Sequence, residues 1–125
     1  SIIPHAGDWR ESYEQAHAFQ TEVRVIETGI HPGEIPAQGN FVSSSPAEFI
    51  ISAIKAAENG NGWIVRGYNI LPESIQLRLK LMRRFGQAKR VNLAEEEISP
   101  LEMDSDGNIR IPVAGHEIIS VMFSA

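Results

Sequence analysis

From Ile75 to Leu81 the chain reads Ile-Gln-Leu-Arg-Leu-Lys-Leu, apolar and polar residues alternating without a slip. A helix would scatter these side chains around its axis, whereas an extended strand puts every apolar one on the same face. The run lies between Leu71-Pro72-Glu73 and Phe85-Gly86, both of which favour turns. Such a strand cannot stand alone, because its backbone groups need partner strands and its apolar face needs a cover. The rest of the chain must supply both.

Further strand signals recur after short intervals. Trp63-Ile64-Val65-Arg66-Gly67-Tyr68 is β-rich, Lys89 to Leu93 is a candidate, and Asp106-Gly107 turns the chain into Ile109 to Val113. Glu117 to Phe123 closes the series as an apolar strand, while Glu95-Glu96-Glu97 and Pro100 interrupt it. Glu22-Val23-Arg24-Val25 alternates with period two and predicts one more strand. Residues 29–40 hold Gly29, Pro32, Gly33, Pro36 and Gly39 and read as a loop. One helix is predicted, over residues 9–20, from the cap Asp8, Glu11 three residues on, and Trp9, Tyr13, Ala16 and Gln20 on one side of the wheel. The fold class is mainly β, an antiparallel β-sandwich with one short N-terminal helix. No repeat or linker divides it, so residues 1–125 are read as a single domain.

Residues 45–60 set two rules against each other. Ser45-Pro46-Ala47-Glu48 forms a capping box with proline at the first helical position, and the Ala- and Lys-rich stretch to Ala57 favours a helix. Phe49 to Ile54 is also a strand-like apolar run, and Asn59-Gly60-Asn61-Gly62 is a strong hairpin turn into Trp63. Local preference alone favours the helix.

Composition excludes several classes. With 11 Lys and Arg against 16 Asp and Glu the net charge is −5, a poor match to nucleic acid or an anionic membrane. The absence of cysteine removes disulfides, thiolate metal sites and cysteine nucleophiles, and points to a reducing, cytoplasmic setting. No apolar run is long enough to span a bilayer. At 125 residues the chain can bury a core without a metal or disulfide staple. It opens abruptly on apolar residues, as a piece cut from something longer would.

The candidate chemistry is sparse. His5, His17, His31 and His116 fall in four different elements with no metal-ligand spacing, and no serine sits in a nucleophile elbow, so neither catalytic residues nor a metal site is assigned. His5 and Asp8 are close enough to share a turn, and a polar turn between apolar elements is where a substrate contact would sit. A structural role, bonding backbone groups at the helix start, is the plainer reading of the pair. Glu102 to Ile109 imitates the start of a calcium loop, but Val113 occupies the position that needs a carboxylate, which leaves a hairpin turn. Arg78, Lys80, Arg83, Arg84, Lys89 and Arg90 precede a run of acids from Glu95 to Asp106, and adjacent strands should largely neutralise the two groups. A solvated face or an interface to another domain is a plainer reading than a phosphate-binding stripe, since only Phe85 interleaves an aromatic ring with the cations. Trp9, Tyr13, Trp63 and Tyr68 could stack on sugars as an independent carbohydrate-binding module, although all four sit where packing would bury them.

Four segments, in order, resemble the C-terminal region of family 38 α-mannosidases. Ile2-Ile3-Pro4-His5-Ala6-Gly7-Asp8-Trp9 is similar to that family's Leu-x-Pro-His-x-Gly-Asp-Trp. Ile54 to Gly60, continuing through Trp63 to Arg66-Gly67-Tyr68-Asn69, resembles its Ala-x-Lys-x-x-Glu-Asp-Gly and Arg-x-Tyr-Asn hairpin. Ala88 to Glu96 resembles Ala-x-x-x-Asn-Leu-x-Glu, and Val113 to Phe123 its closing strand. The resemblance implies the last β domain of a retaining α-mannosidase whose zinc and nucleophilic aspartate lie in an amino-terminal α/β domain. No cofactor belongs to this stretch on that reading, which would be inactive alone. Its partner would be the rest of the same polypeptide, with the mannoside reached through the parent and self-association of the parent left open. The resemblance also implies that residues 50–57 form a strand pairing with 63–70.

Overall fold

The computed structural model describes residues 2–125, and the chain divides into two compact units, Ser1–Ala37 and Gln38–Ala125. In the first unit a 3-10 turn over Trp9–Ser12 leads into a single helix, α1 (Tyr13–Gln20), close to the expected span. Residues 22–25 form no strand, and Val23 and Val25 are almost fully exposed. Their alternation is real, but no strand of this unit pairs with them among the described residues, and an unpaired strand leaves its backbone groups to water.

The second unit is a mainly β structure of two antiparallel sheets. Its strands are β1 (Val42–Ser45), β2 (Phe49–Ala56), β3 (Trp63–Asn69), β4 (Ile75–Leu81), β5 (Gln87–Val91), β6 (Glu97–Leu101), β7 (Asn108–Val113) and β8 (Ile118–Ser124). One sheet has the order β1-β4-β7 and the other β2-β3-β8-β5-β6. The alternation that defined β4 is used as anticipated: Leu77 and Leu79 are fully buried while Gln76, Arg78 and Lys80 are exposed. Ile109, Ile111 and Val113 of β7 face the same way and meet Phe49, Val65, Ile119, Val121 and Phe123 of the larger sheet in one core.

Residues 49–56 form a strand despite their local helical preference. Asn59 and Gly60 close the β2–β3 hairpin, with Gly60 at φ 74° and its N–H donating to the Ala57 carbonyl. The pairing runs from Phe49 opposite Asn69 to Ala56 opposite Trp63. Helix propensity differs by only tenths of a kcal/mol per residue, whereas the ladder satisfies the backbone of a whole strand and buries Phe49. Phe49 also explains Gly67, since a β-carbon there would lie 2.5 Å from its ring. Two short strands were not anticipated. β1 is mostly serine, and β6 contains Pro100, which an edge strand tolerates because its N–H is not needed for the ladder.

Candidate functional site

In the first unit Asp8 caps the 3-10 turn: its Oδ1 accepts the Arg10 N–H at 3.0 Å and its Oδ2 pairs with the Arg10 guanidinium at 2.8 Å. The guanidinium also lies 5.2 Å from the Trp9 ring centre. Both carboxylate oxygens are thus engaged locally. His5 is exposed, and no hydrogen bond or ion pair joins it to Asp8. His17 and the Tyr13 hydroxyl share a hydrogen bond of 2.7 Å one helical turn apart.

In the sandwich unit, residues from two distant motif-like segments meet. Val65, Ile119, Val121 and Phe123 point into the core, so Ile64, Arg66 and Ser120 alternate onto the opposite face of the five-stranded sheet. Lys55 lies in register with Ile64 on that face. Its ammonium binds Glu58 and, at 2.9 Å, the Glu95 carboxylate. Glu95 also accepts the Glu58 N–H at 2.7 Å, and only 8% of its side chain is exposed. The tight turn that delivers Glu95 is held by Asn92, whose Oδ1 accepts the Glu96 N–H at 2.9 Å and whose Nδ2 donates to the Glu96 carboxylate at 2.7 Å. Glu95 there adopts φ 65°. Arg66 Nε donates to Ser120 Oγ at 2.9 Å beside this group. A second apolar cluster, Ala57, Ile64, Val91 and Met122, shares the face.

The electrostatics follow from these contacts. The hydrogen bond from Lys55, then that from the Glu58 N–H, holds the Glu95 carboxyl below its ordinary range. The bonds to Glu58 and Glu95 raise the Lys55 ammonium. Both carboxylates are spent on one cation, which makes the bracket a brace between the β2–β3 hairpin and the β5–β6 turn. It is no acid–base pair flanking a cleft.

The opposite loops are tied by Asn69 and Glu117. Asn69 is buried and links the β3–β4 and β7–β8 connections, while Glu117 accepts the Ala114 N–H at 2.7 Å and pairs with Arg90. The acidic stretch resembling a calcium loop is a turn: Asp104 accepts from the Asp106 and Asn108 N–H groups at 3.0 and 2.9 Å. These bonds, led by that from Asn108, hold its carboxyl low. Among the described residues no group of three or more His, Asp or Glu could hold a metal ion.

Two expectations need correction. Trp9 and Trp63 are not buried, with 51% and 43% of their surfaces exposed. Trp63 and Tyr68 lie five residues apart on β3 and so face opposite sides of the sheet, which no single sugar platform could use. Neutralisation of the cation cluster is also incomplete. Lys89 pairs with Glu97 and Arg90 with Glu117, but Arg78, Lys80, Arg83 and Arg84 enter no ion pair among the described residues. Sequence reasoning missed Asn69 and the Lys55–Glu95 pair as partners, although Lys55, Glu58, Asn69, Asn92 and Glu95 all stood within the segments that carried the family resemblance.

The fold is an antiparallel β-sandwich module whose charged motif residues brace one loop against another. The chain belongs to the glycosyl hydrolases family 38 C-terminal beta sandwich domain, whose family model matches residues 48–121. It is similar to the "Putative mannosylglycerate hydrolase" of Halalkalibacterium halodurans, with 29% identity over 124 residues. That match takes in 98% of this chain and 13% of the relative, so the chain spans a small part of the relative's length. No solved structure matches the chain.

Proposed function

We propose that this chain is the C-terminal structural lobe of a longer α-mannosidase-like glycoside hydrolase, with residues 1–125 acting as one lobe that packs against catalytic and helical domains elsewhere in the polypeptide. The observation that carries the reading is the family match over residues 48–121, together with a relative that aligns along 98% of this chain but only 13% of its own length. In this reading the parent hydrolyses α-mannosides with retention. The relative's name favours a mannoside bearing a glycerate, and hence a carboxylate. In this reading, as the family resemblance implies, zinc and the nucleophilic aspartate belong to an amino-terminal α/β domain of the parent outside residues 1–125. The cytoplasm, where cysteine-free chains are at no disadvantage, is the proposed compartment.

The experiment compares the full-length polypeptide that encodes this chain with the 125-residue chain alone, on an aryl α-mannoside and on mannosylglycerate, with and without a chelator. The whole should turn over and lose activity on chelation, and the chain alone should not. Hydrolysis by the chain alone would overturn the proposal, as would a polypeptide lacking an α/β domain with a His-x-Asp metal motif. Within this reading His5 and Asp8 are the residues offered to the sugar pocket. Replacing both by alanine in the full-length enzyme should lower turnover. Unchanged turnover with a lowered melting temperature would leave the pair a structural turn.

A further inference from the structure

The outward face of the three-stranded sheet carries charge of one sign. β4 and β7 pair so that Arg78 stands directly opposite Arg110, and Lys80 is the next outward residue along β4. All three are exposed, and none enters an ion pair among the described residues. The other outward positions are uncharged: Ser43 and Ser45 flank Lys80 and Arg78 from β1, and Gln76, Asn108 and Pro112 complete the face. Asp104, at its end, is occupied by Asn108 and by the Asp106 N–H. Like charges directly across an antiparallel pair oppose sheet formation. Arg110 feels the Asp104 carboxylate at the end of the face, which leaves Arg78 and Lys80 as the cations with no acid beside them among the outward positions. In a chain of net charge −5, such a cluster of cations on one small face is a cost that an opposing surface would remove.

We propose that this face docks on an acidic protein surface within the rest of the same polypeptide, an inference that rests on the reading of the chain as one lobe of a larger enzyme. The face has no aromatic side chain on which a base or a pyranose ring could stack, and the chain's overall negative charge opposes a nucleic acid or an anionic bilayer. It also has no apolar anchor of the kind that sustains affinity between free proteins. A flat ionic contact of this type is effective when the partner is covalently tethered, because the second binding event is then intramolecular. The match takes in 13% of the relative, so most of a polypeptide of that size lies outside it and is available as a tethered partner.

The chain has three lysines, Lys55, Lys80 and Lys89, and only Lys80 lies on this face. Acetylation by an amine-reactive ester, quantified by peptide mass spectrometry, therefore reads the face directly. Lys55 and Lys89, which are held by Glu95 and Glu97, serve as internal references. Relative to the 125-residue chain, the full-length polypeptide should label Lys80 more slowly by roughly tenfold, the factor given by a docked state favoured by about 1.4 kcal/mol. The protection should vanish at high salt and in R78E/R110E. Equal labelling of Lys80 in both contexts would overturn the proposal. Retention of the chain on heparin at physiological salt, lost in R78E/R110E, would overturn it in favour of a polyanion. Absence of mannoside hydrolysis by the full-length polypeptide would sink the functional reading alone, since labelling of Lys80 does not depend on turnover.

Discussion

Replacing Asn69 by alanine should be among the most damaging single changes to the sandwich unit. Only 1% of Asn69 is exposed. Its Nδ2 donates to the carbonyls of Glu73 at 2.7 Å and Ala114 at 3.0 Å, and its Oδ1 accepts the Leu71 N–H at 2.9 Å. Alanine deletes three hydrogen bonds, each worth about 1 kcal/mol net, for a loss of about 3 kcal/mol. In a domain of this size each kcal/mol moves the melting temperature by about 4–8 °C, so a drop of roughly 15 °C is expected by circular dichroism. Asparagine to aspartate provides the sharper test. The shape and the Oδ1 acceptor are kept, but an oxygen then faces two carbonyl oxygens and a charge is buried without a partner. N69D should be at least as destabilised as N69A at neutral pH. Burial raises the carboxyl's pKa in the folded state, so N69D should recover stability as the pH falls and the group gains a proton it can donate. An N69A variant within about 1 kcal/mol of the parent, or an N69D variant matching it at neutral pH, would refute the assignment of this amide as the tie between the two loops.

Gly115→Ala should destabilise the same end of the sandwich by about 2 kcal/mol or more, because the added β-carbon would stand 1.8 Å from the Pro72 carbonyl oxygen and only backbone movement could relieve it. Urea unfolding at an unchanged m-value measures the loss, and a neutral result would mean that the β3–β4 and β7–β8 loops separate freely. Glu117→Gln tests the acid limb of the stability curve. The Ala114 N–H, and after it Arg90, hold the Glu117 carboxyl below its ordinary value of 4.5. The stability this adds is therefore complete above that value and is lost as the pH falls through the lower folded-state value. With 26% of the side chain in water, the difference between parent and E117Q should be about 1 kcal/mol at neutral pH and should close in acid. A difference that stays constant across that range would show the ion pair to be irrelevant.

The β4 strand was legible in the sequence because one face of it is buried and the other wet, so alternation survives as a pattern. The closing strand β8 was legible by its apolar content, and the hairpin turn at Asn59-Gly60 by the residues that tolerate φ above zero. β2 was ambiguous for a physical reason: Ala and Lys favour a helix weakly wherever they stand, and the strand is chosen only when β3 is present to pair with it. The error at residues 22–25 is the converse, a good alternation with no partner. β6 was hidden because Pro100 and the acids around it suit an edge, and whether a strand lies at an edge is a property of the sheet. In the candidate site the family resemblance picked out segments containing Lys55, Asn69 and Glu95, but nothing local tells that Lys55 and Glu95 meet across 40 positions of sequence, or that Asn69 is buried between two loops.

The amino-acid order alone determined that the chain would pair strands and cover them, since side-chain alternation and turn chemistry act over a few residues and need no distant partner. Which strands share a sheet, which carboxylates are paired with cations, and that Arg78 stands opposite Arg110 were decided only by the tertiary structure. Those outcomes depend on cross-strand register, which brings together residues tens of positions apart and which no local rule encodes.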